Sequence, residues 1–367
     1  MRLSLQSLPV RGRARHGFTL VEIIVATAVL SLLMVAMMST LGTVQRSFQF
    51  TRARVDQFRE ARRALDLIST TLSQATLNSY QDYYYTGTQS NIPPATGSGA
   101  PAAYVRQSEL QFRVDAAAST FGTTGSPVEA PGHSVFFQAP LGLTADGSSL
   151  GGLLNARGYG IVFSGDDKRR PAFVNGYDIP VKRRYRLVEY RPTAEYQSAT
   201  AGGNTIYNHP ADWFTLAMGN SCRVVADNIL LLLLSPRSSS QGAGGAVEPW
   251  SIAPHYHYNS LDSDNSTAAL DGLLVRTDGT VAQGTQHMLP PLIAVTLVAL
   301  DETSAQQWSA RRGDNGVDVL SEAHAAFTDA SRYESDMGAL RDYLQKQKLN
   351  FRIFNSTVAL RNAVSER

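Results

Sequence analysis

The chain has 367 residues, and its 33 Lys and Arg nearly balance its 31 Asp and Glu, for a formal net charge of +2. Without the four arginines among the first seventeen residues the balance is about −2, which gives no case for a nucleic-acid-binding protein. A single cysteine, Cys222, permits no intramolecular disulfide, so a folded body of this length must rest on its core alone.

Residues 1–17 carry Arg2, Arg11, Arg13 and Arg15 and no acid. By the positive-inside bias such a segment stays in the cytoplasm and sends the C-terminal bulk across the membrane. It is expected as a leader outside any folded domain. Phe18 to Leu41 follow as roughly 24 residues, long enough to cross a hydrocarbon core of about 30 Å as a helix. Their one charge is Glu22. An ionisable group inside a spanning segment is costly and points to function. The blander reading has Glu22 reach the head-group region, about 6 Å from the start of the span at 1.5 Å per residue, with no specific role. Ala26-Thr27-Ala28 fits an A-x-A signal-peptidase site. It leaves only about 8 apolar residues ahead of it, interrupted by Glu22, and the hydrophobicity runs on past it. A plain uncleaved anchor explains the length and flanking charges but not the residues at the head of the segment.

Those residues, Gly17-Phe18-Thr19-Leu20-Val21-Glu22, resemble the processing site of type IV pilin-like proteins and type II secretion pseudopilins. The resemblance implies that a prepilin peptidase cuts between Gly17 and Phe18 and that the new amine of Phe18 is methylated. It also implies that Glu22 serves filament assembly. The chemistry is coherent with those roles. Glycine offers an unhindered backbone to a protease cleft, and a neighbouring subunit's Glu22 can neutralise the cationic amine, two charges in lipid costing less when paired. The implied protein is a non-enzymatic subunit without cofactor. Its implied partners are the prepilin peptidase, other pilins or pseudopilins and an inner-membrane assembly platform, with no nucleic acid. It would be a single-pass inner-membrane protein with a cytoplasmic N-terminus and a periplasmic head, moved into a type IV pilus-like or type II secretion pseudopilus filament after processing. A head of about 290 residues is bulky for close repetition along a thin fibre, so a minor or tip position is expected. The alternative is a membrane-anchored periplasmic binding module that does not polymerise.

After Leu41 the helix is expected to continue as an amphipathic extension to residue 80, with Gly42 a candidate kink. Phe58, Ala61, Leu65, Ile68, Leu72 and Ala75 recur at alternating spacings of three and four, one apolar stripe with Arg59, Glu60, Arg62, Arg63 and Asp66 mostly off it. The stripe is expected to pack on the domain's own sheet. Residues 81–133 read as loop-rich, with turn signals around Pro93-Pro94 and Gly97-Ser98-Gly99 and one strand at Leu110–Val114. The cluster Tyr83-Tyr84-Tyr85 is expected to cover a helix–sheet seam rather than to form a stacking platform.

Residues 134–367 read as a β-rich head. Strands are expected at Ser134–Gln138, Tyr159–Phe163, Tyr185–Tyr190, Asn228–Leu234, Leu292–Leu300 and Phe351–Leu360, and a short amphipathic helix around Met337, Leu340 and Leu344. The expected fold is therefore α+β, a long N-terminal helix packed on an antiparallel β-rich head. The order of elements resembles that of the larger minor pseudopilins, particularly the J type. A fainter likeness, through Gly132–Gly142 and Val224–Asn228, is to prepilin-like cassette proteins of verrucomicrobia.

Other chemistry finds little support. Gly147-Ser148-Ser149-Leu150-Gly151 fits G-x-S-x-G, but a nucleophile elbow needs a strand before it and a helix after it, and neither is expected here. His255 and His257 with Asp262 and Asp264 complete no zinc spacing and lack the glycine of an EF-hand loop, so no metal is assigned; Asp262 and Asp264 are weak candidates for calcium. Lys168-Arg169-Arg170 and Arg183-Arg184 read as solvated faces.

Overall fold

The computed structural model describes residues 19–85, 100–116, 131–148, 150–166, 170–171, 173, 177, 179–196, 214, 221–237, 252–262, 274–275, 281–282, 285–312 and 319–363. The chain divides into two compact units, Met1–Ala53 and Arg54–Arg367. A single helix, α1 (Leu20–Leu72), supplies the described part of the first unit and opens the second, and it runs through Gly42 without a break.

The second unit is built on two antiparallel sheets. One has six strands in the order β7-β6-β5-β4-β3-β9: β3 (Arg113–Ala116), β4 (His133–Pro140), β5 (Leu154–Ser164), β6 (Arg184–Tyr190), β7 (Cys222–Asp227) and β9 (Tyr258–Asn259). The other is β13-β12-β8, from β8 (Ile229–Arg237), β12 (Leu292–Leu300) and β13 (Phe351–Ala359). The leucine run of β8 is buried from Ile229 to Leu234, and the strand packs against β4, β5 and β6. A strand covered on both faces has no use for alternation, which is why it reads as an unbroken apolar run.

The expected strand at Asn228–Leu234 is β8, which begins one residue later, at Ile229, and follows a separate strand, β7. Asn228 stands between β7 and β8 at φ 60 and turns the chain from one sheet into the other. Asparagine tolerates the left-handed region better than most residues, and here its side chain is fully engaged. Its Oδ1 accepts from Arg184 Nη1 at 3.0 Å, its Nδ2 donates to Glu302 Oε2 at 2.8 Å, and its carbonyl accepts from Leu300 N–H at 2.9 Å.

The outer part of α1 lies on this body as its stripe predicts. Ala61, Ala64, Leu65, Ile68, Leu72 and Ala75 are all buried, and Phe58 meets Phe354 with ring centroids 6.4 Å apart. Thr71 Oγ1 shares a 2.8 Å hydrogen bond with the hydroxyl of Tyr159 on β5. The helix end is closed by the other end of the chain: Arg361 N–H donates to the Ser73 carbonyl and Asn362 Nδ2 to that of Ala75, both at 3.1 Å, so carbonyls without an intrahelical partner are satisfied.

Three shorter pieces complete the unit. A ribbon pairs β1 (Tyr80–Tyr84) with β2 (Ala103–Gln107), and another β10 (Leu274–Val275) with β11 (Val281–Ala282). Helices α2 (Glu302–Arg312), α3 (Val319–Ala323) and α4 (Tyr333–Lys346) lie between β12 and β13, and Met337, Leu340 and Leu344 of α4 are buried as their spacing predicts. The expected strand at Leu110–Val114 is displaced towards the C-terminus, to β3. The tyrosine expectation is corrected. Only Tyr84 turns inward, whereas Tyr83 and Tyr104 are cross-strand partners on the outward face with ring centroids 5.0 Å apart.

Candidate functional site

The strongest sequence signal lies at the start of α1. Gly17 and Phe18 fall outside the described residues. Thr19 stands immediately before the helix, and its Oγ1 accepts the Glu22 N–H at 3.3 Å while its carbonyl accepts the Ile23 N–H at 3.2 Å. This is an N-cap in a T-x-x-E pattern, with a carboxylate in the first turn where the helix dipole favours it. The membrane and assembly roles expected of Glu22 left this one out, although Thr19-Leu20-Val21-Glu22 spells it.

From Leu20 to Gln45 the helix is long and apolar enough to cross a membrane, with a mean hydropathy of 2.5 and no part of it buried. Exposure reaches 73% at Leu20 and 74% at Met38. So large an unpartnered apolar surface requires lipid or other helices around it. The few hydroxyls within it suit that surrounding. Thr27 donates to the Ile24 carbonyl at 3.0 Å, Ser31 to Ala28 at 2.9 Å, Thr40 to Met37 at 2.8 Å and Thr43 to Ser39 at 3.0 Å. Each of these four returns its proton to the helix backbone.

The remaining candidates are absorbed by structure. The G-x-S-x-G residues form the β4–β5 connection, where Gly142 N–H donates to the Leu153 carbonyl and the Asp146 carboxylate accepts from Thr144 Oγ1 and from the N–H and hydroxyl of Ser148. No helix follows; β5 does. Ser149 lies outside the described residues.

The histidines separate. His255 is exposed, with its ring 3.3 Å from the Thr328 carbonyl, while His257 sits between two carboxylates, 3.5 Å from Asp115 and 3.4 Å from Asp262. Those contacts raise the His257 pKa to about 9, the Asp115 hydrogen bond contributing most. Asp262 is buried and also accepts from Asn259 Nδ2 at 3.1 Å. This is an ion-paired imidazolium rather than a ligand set, and among the described residues no group of three His, Cys, Asp or Glu could hold a metal. Asp264 lies outside them.

Cys222 stands at the start of β7 with its thiol pKa pushed up to about 12 by burial, which makes it a poor nucleophile. Of the basic runs, Arg184 is buried against Glu302 and Arg170 pairs with Asp166 at 2.8 Å. Lys168 and Arg169 lie outside the described residues.

Comparison with known proteins returns to the N-terminus. The prokaryotic N-terminal methylation motif matches residues 12–38, which take in Gly17, Phe18, Glu22 and most of the apolar segment. No curated protein and no solved structure matches the chain.

Proposed function

We propose that this type IV pilin-like chain is a structural subunit, cut by a prepilin peptidase between Gly17 and Phe18, methylated on Phe18 and drawn through its Glu22-bearing helix into a pilus-like filament. The observation that carries the reading is the coincidence of the methylation motif with the head of an apolar helical segment, Leu20–Gln45, of which no part is buried. Within that reading residues 1–17 are the leader, 18–41 the membrane and assembly segment, 42–80 its amphipathic extension, which is helical only as far as Leu72, 81–133 a variable segment and 134–367 the periplasmic head.

Each residue has a physical task. Cleavage after Gly17 leaves a cationic amine on Phe18 at the head of the helix. Glu22 of a neighbouring subunit neutralises it, and the pair sets the axial register of packed helices. Before assembly the segment anchors the chain in the inner membrane; afterwards its apolar surface is covered by other subunits. The size of the second unit, Arg54–Arg367, supports a minor or tip position, because one copy at a filament end need pack only below itself.

The test is Glu22→Ala. Its incorporation into sheared filaments is expected to fall below detection while its level in the membrane stays that of wild type. Normal incorporation would remove Glu22 from assembly, and retention in the membrane without incorporation of either protein would favour the non-polymerising anchored module.

A further inference from the structure

The six-stranded sheet ends at β7, and among the described residues no strand pairs with its outer edge. A groove of about 690 Å³ opens there. Arg59, Glu60, Arg63, Ala64 and Leu67 of α1 form one wall, and Arg223, Val224 and Val225 of β7 the other. All belong to the second unit.

The helix positions follow the spacing of one face, so a single stripe of α1 runs along the strand edge. One contact orients that edge. The Asp227 N–H donates to Glu60 Oε1 at 3.1 Å, so the backbone of β7 points its outward donors at the helix, and a side chain has already taken the last of them. Outward groups recur every second residue only along a regular strand, and the pairing with β6 carries a bulge at Val225, so the outer edge beyond Asp227 resumes its alternation in the Cys222–Val224 stretch. The β6 register passes over Val225, pairing Leu187 with Ala226 and Val188 with Val224.

The walls are chemically mixed. Ala64, Leu67, Val224 and Val225 supply apolar floor; Arg59, Arg63, Arg223 and Glu60 supply the charged lining, with Asp227 and Glu302 near Glu60 and Glu189 paired to Arg223. Arg63 is exposed, and Arg223 keeps 57% of its side chain exposed while donating to Glu189 at 2.9 Å. Glu60 is committed to the strand by its hydrogen bond to the Asp227 N–H, and burial raises its pKa.

We propose that this groove receives an extended acidic segment of a partner protein, added to the outer edge of β7 as a seventh strand with its carboxylates facing Arg63 and Arg223. Addition of a strand to an open edge takes affinity from main-chain hydrogen bonds and specificity from the flanking side chains. The exposed guanidinium groups of Arg63 and Arg223 select an acidic segment over a basic one. The backbone edge selects a peptide over a phosphate polymer, which has no N–H and C=O ladder to offer. The inference does not depend on the filament reading.

The test uses the full chain in detergent micelles and a fluorescent ten-residue peptide of alternating Glu and Val, read by polarisation. It is expected to bind. A Lys–Val peptide of the same length is expected not to, nor the Glu–Val peptide N-methylated at alternate residues. Arg63→Glu and Arg223→Gln are each expected to weaken binding about tenfold with the unfolding temperature unchanged. Arg63 stands on an exposed helix face, so its variant remains readable if the other fails to fold. No binding of the Glu–Val peptide, equal binding of its N-methylated form, or its displacement by single-stranded DNA would overturn the proposal.

Discussion

Gly132 occupies a position that no other residue fits. Its φ is +82, it bridges Leu232 of β8, and an added Cβ would stand 2.3 Å from the Leu232 carbonyl oxygen and 2.7 Å from Leu231 Cδ1. Gly132→Ala must therefore push two buried strands apart, and is expected to cost about 2 kcal/mol or more, read as a lower denaturant midpoint of the full chain in micelles. Next to it, His133 is buried with Nδ1 accepting from Leu234 N–H at 3.1 Å and its other nitrogen 3.3 Å from the Phe327 carbonyl. Burial lowers its pKa from 6.5 to about 4. Between those values the unfolded chain binds a proton that the folded chain refuses, so stability falls as pH falls through the window, by an amount on the order of 3 kcal/mol. His257 acts in the opposite direction. Its pKa is raised to about 9, so its contribution is complete below pH 6.5 and is lost as pH rises through 9. Unfolding temperature against pH is expected to decline on both sides, and the acid limb to be shallower in His133→Gln. An acid limb unchanged by that substitution would assign the loss to other groups.

At the scale of elements, periodicity carried most of what could be read. The stripe from Phe58 to Ala75 follows a helical repeat and its core members are buried, so Ile68→Ala, which empties a fully buried site, is expected to cost 2–5 kcal/mol in chemical unfolding. Leu292–Leu300 and Tyr185–Tyr190 were equally legible, as apolar or alternating runs between turn residues. The sheet-switching corner was not. Nothing local distinguishes Asn228 from the first residue of a strand, because its conformation is fixed by Arg184, Glu302 and Leu300, distant in sequence. The β1–β2 ribbon was hidden for a related reason. Its tyrosines are too polar to mark a core strand, and its pairing joins residues on either side of a long connection. The separation of His255 from His257 likewise depends on Asp115, which lies on β3. The N-cap at Thr19 was visible in the letters and simply overshadowed by the membrane reading of Glu22.

For the molecule as a whole, the two units divide the physical work. The second has a continuous core of two sheets and helices and no need of a disulfide; in the first, Leu20–Gln45 is an apolar helical segment with no part buried among the described residues. Such a surface is tolerated in lipid or among like helices, which is the alternation that a filament subunit undergoes. A subunit of that kind must be processed at the head of that helix. The direct measurement is the N-terminal mass of the mature protein taken from its native membrane. A chain beginning at N-methylated Phe18 is the predicted result, and an intact leader beginning at Met1 would contradict it.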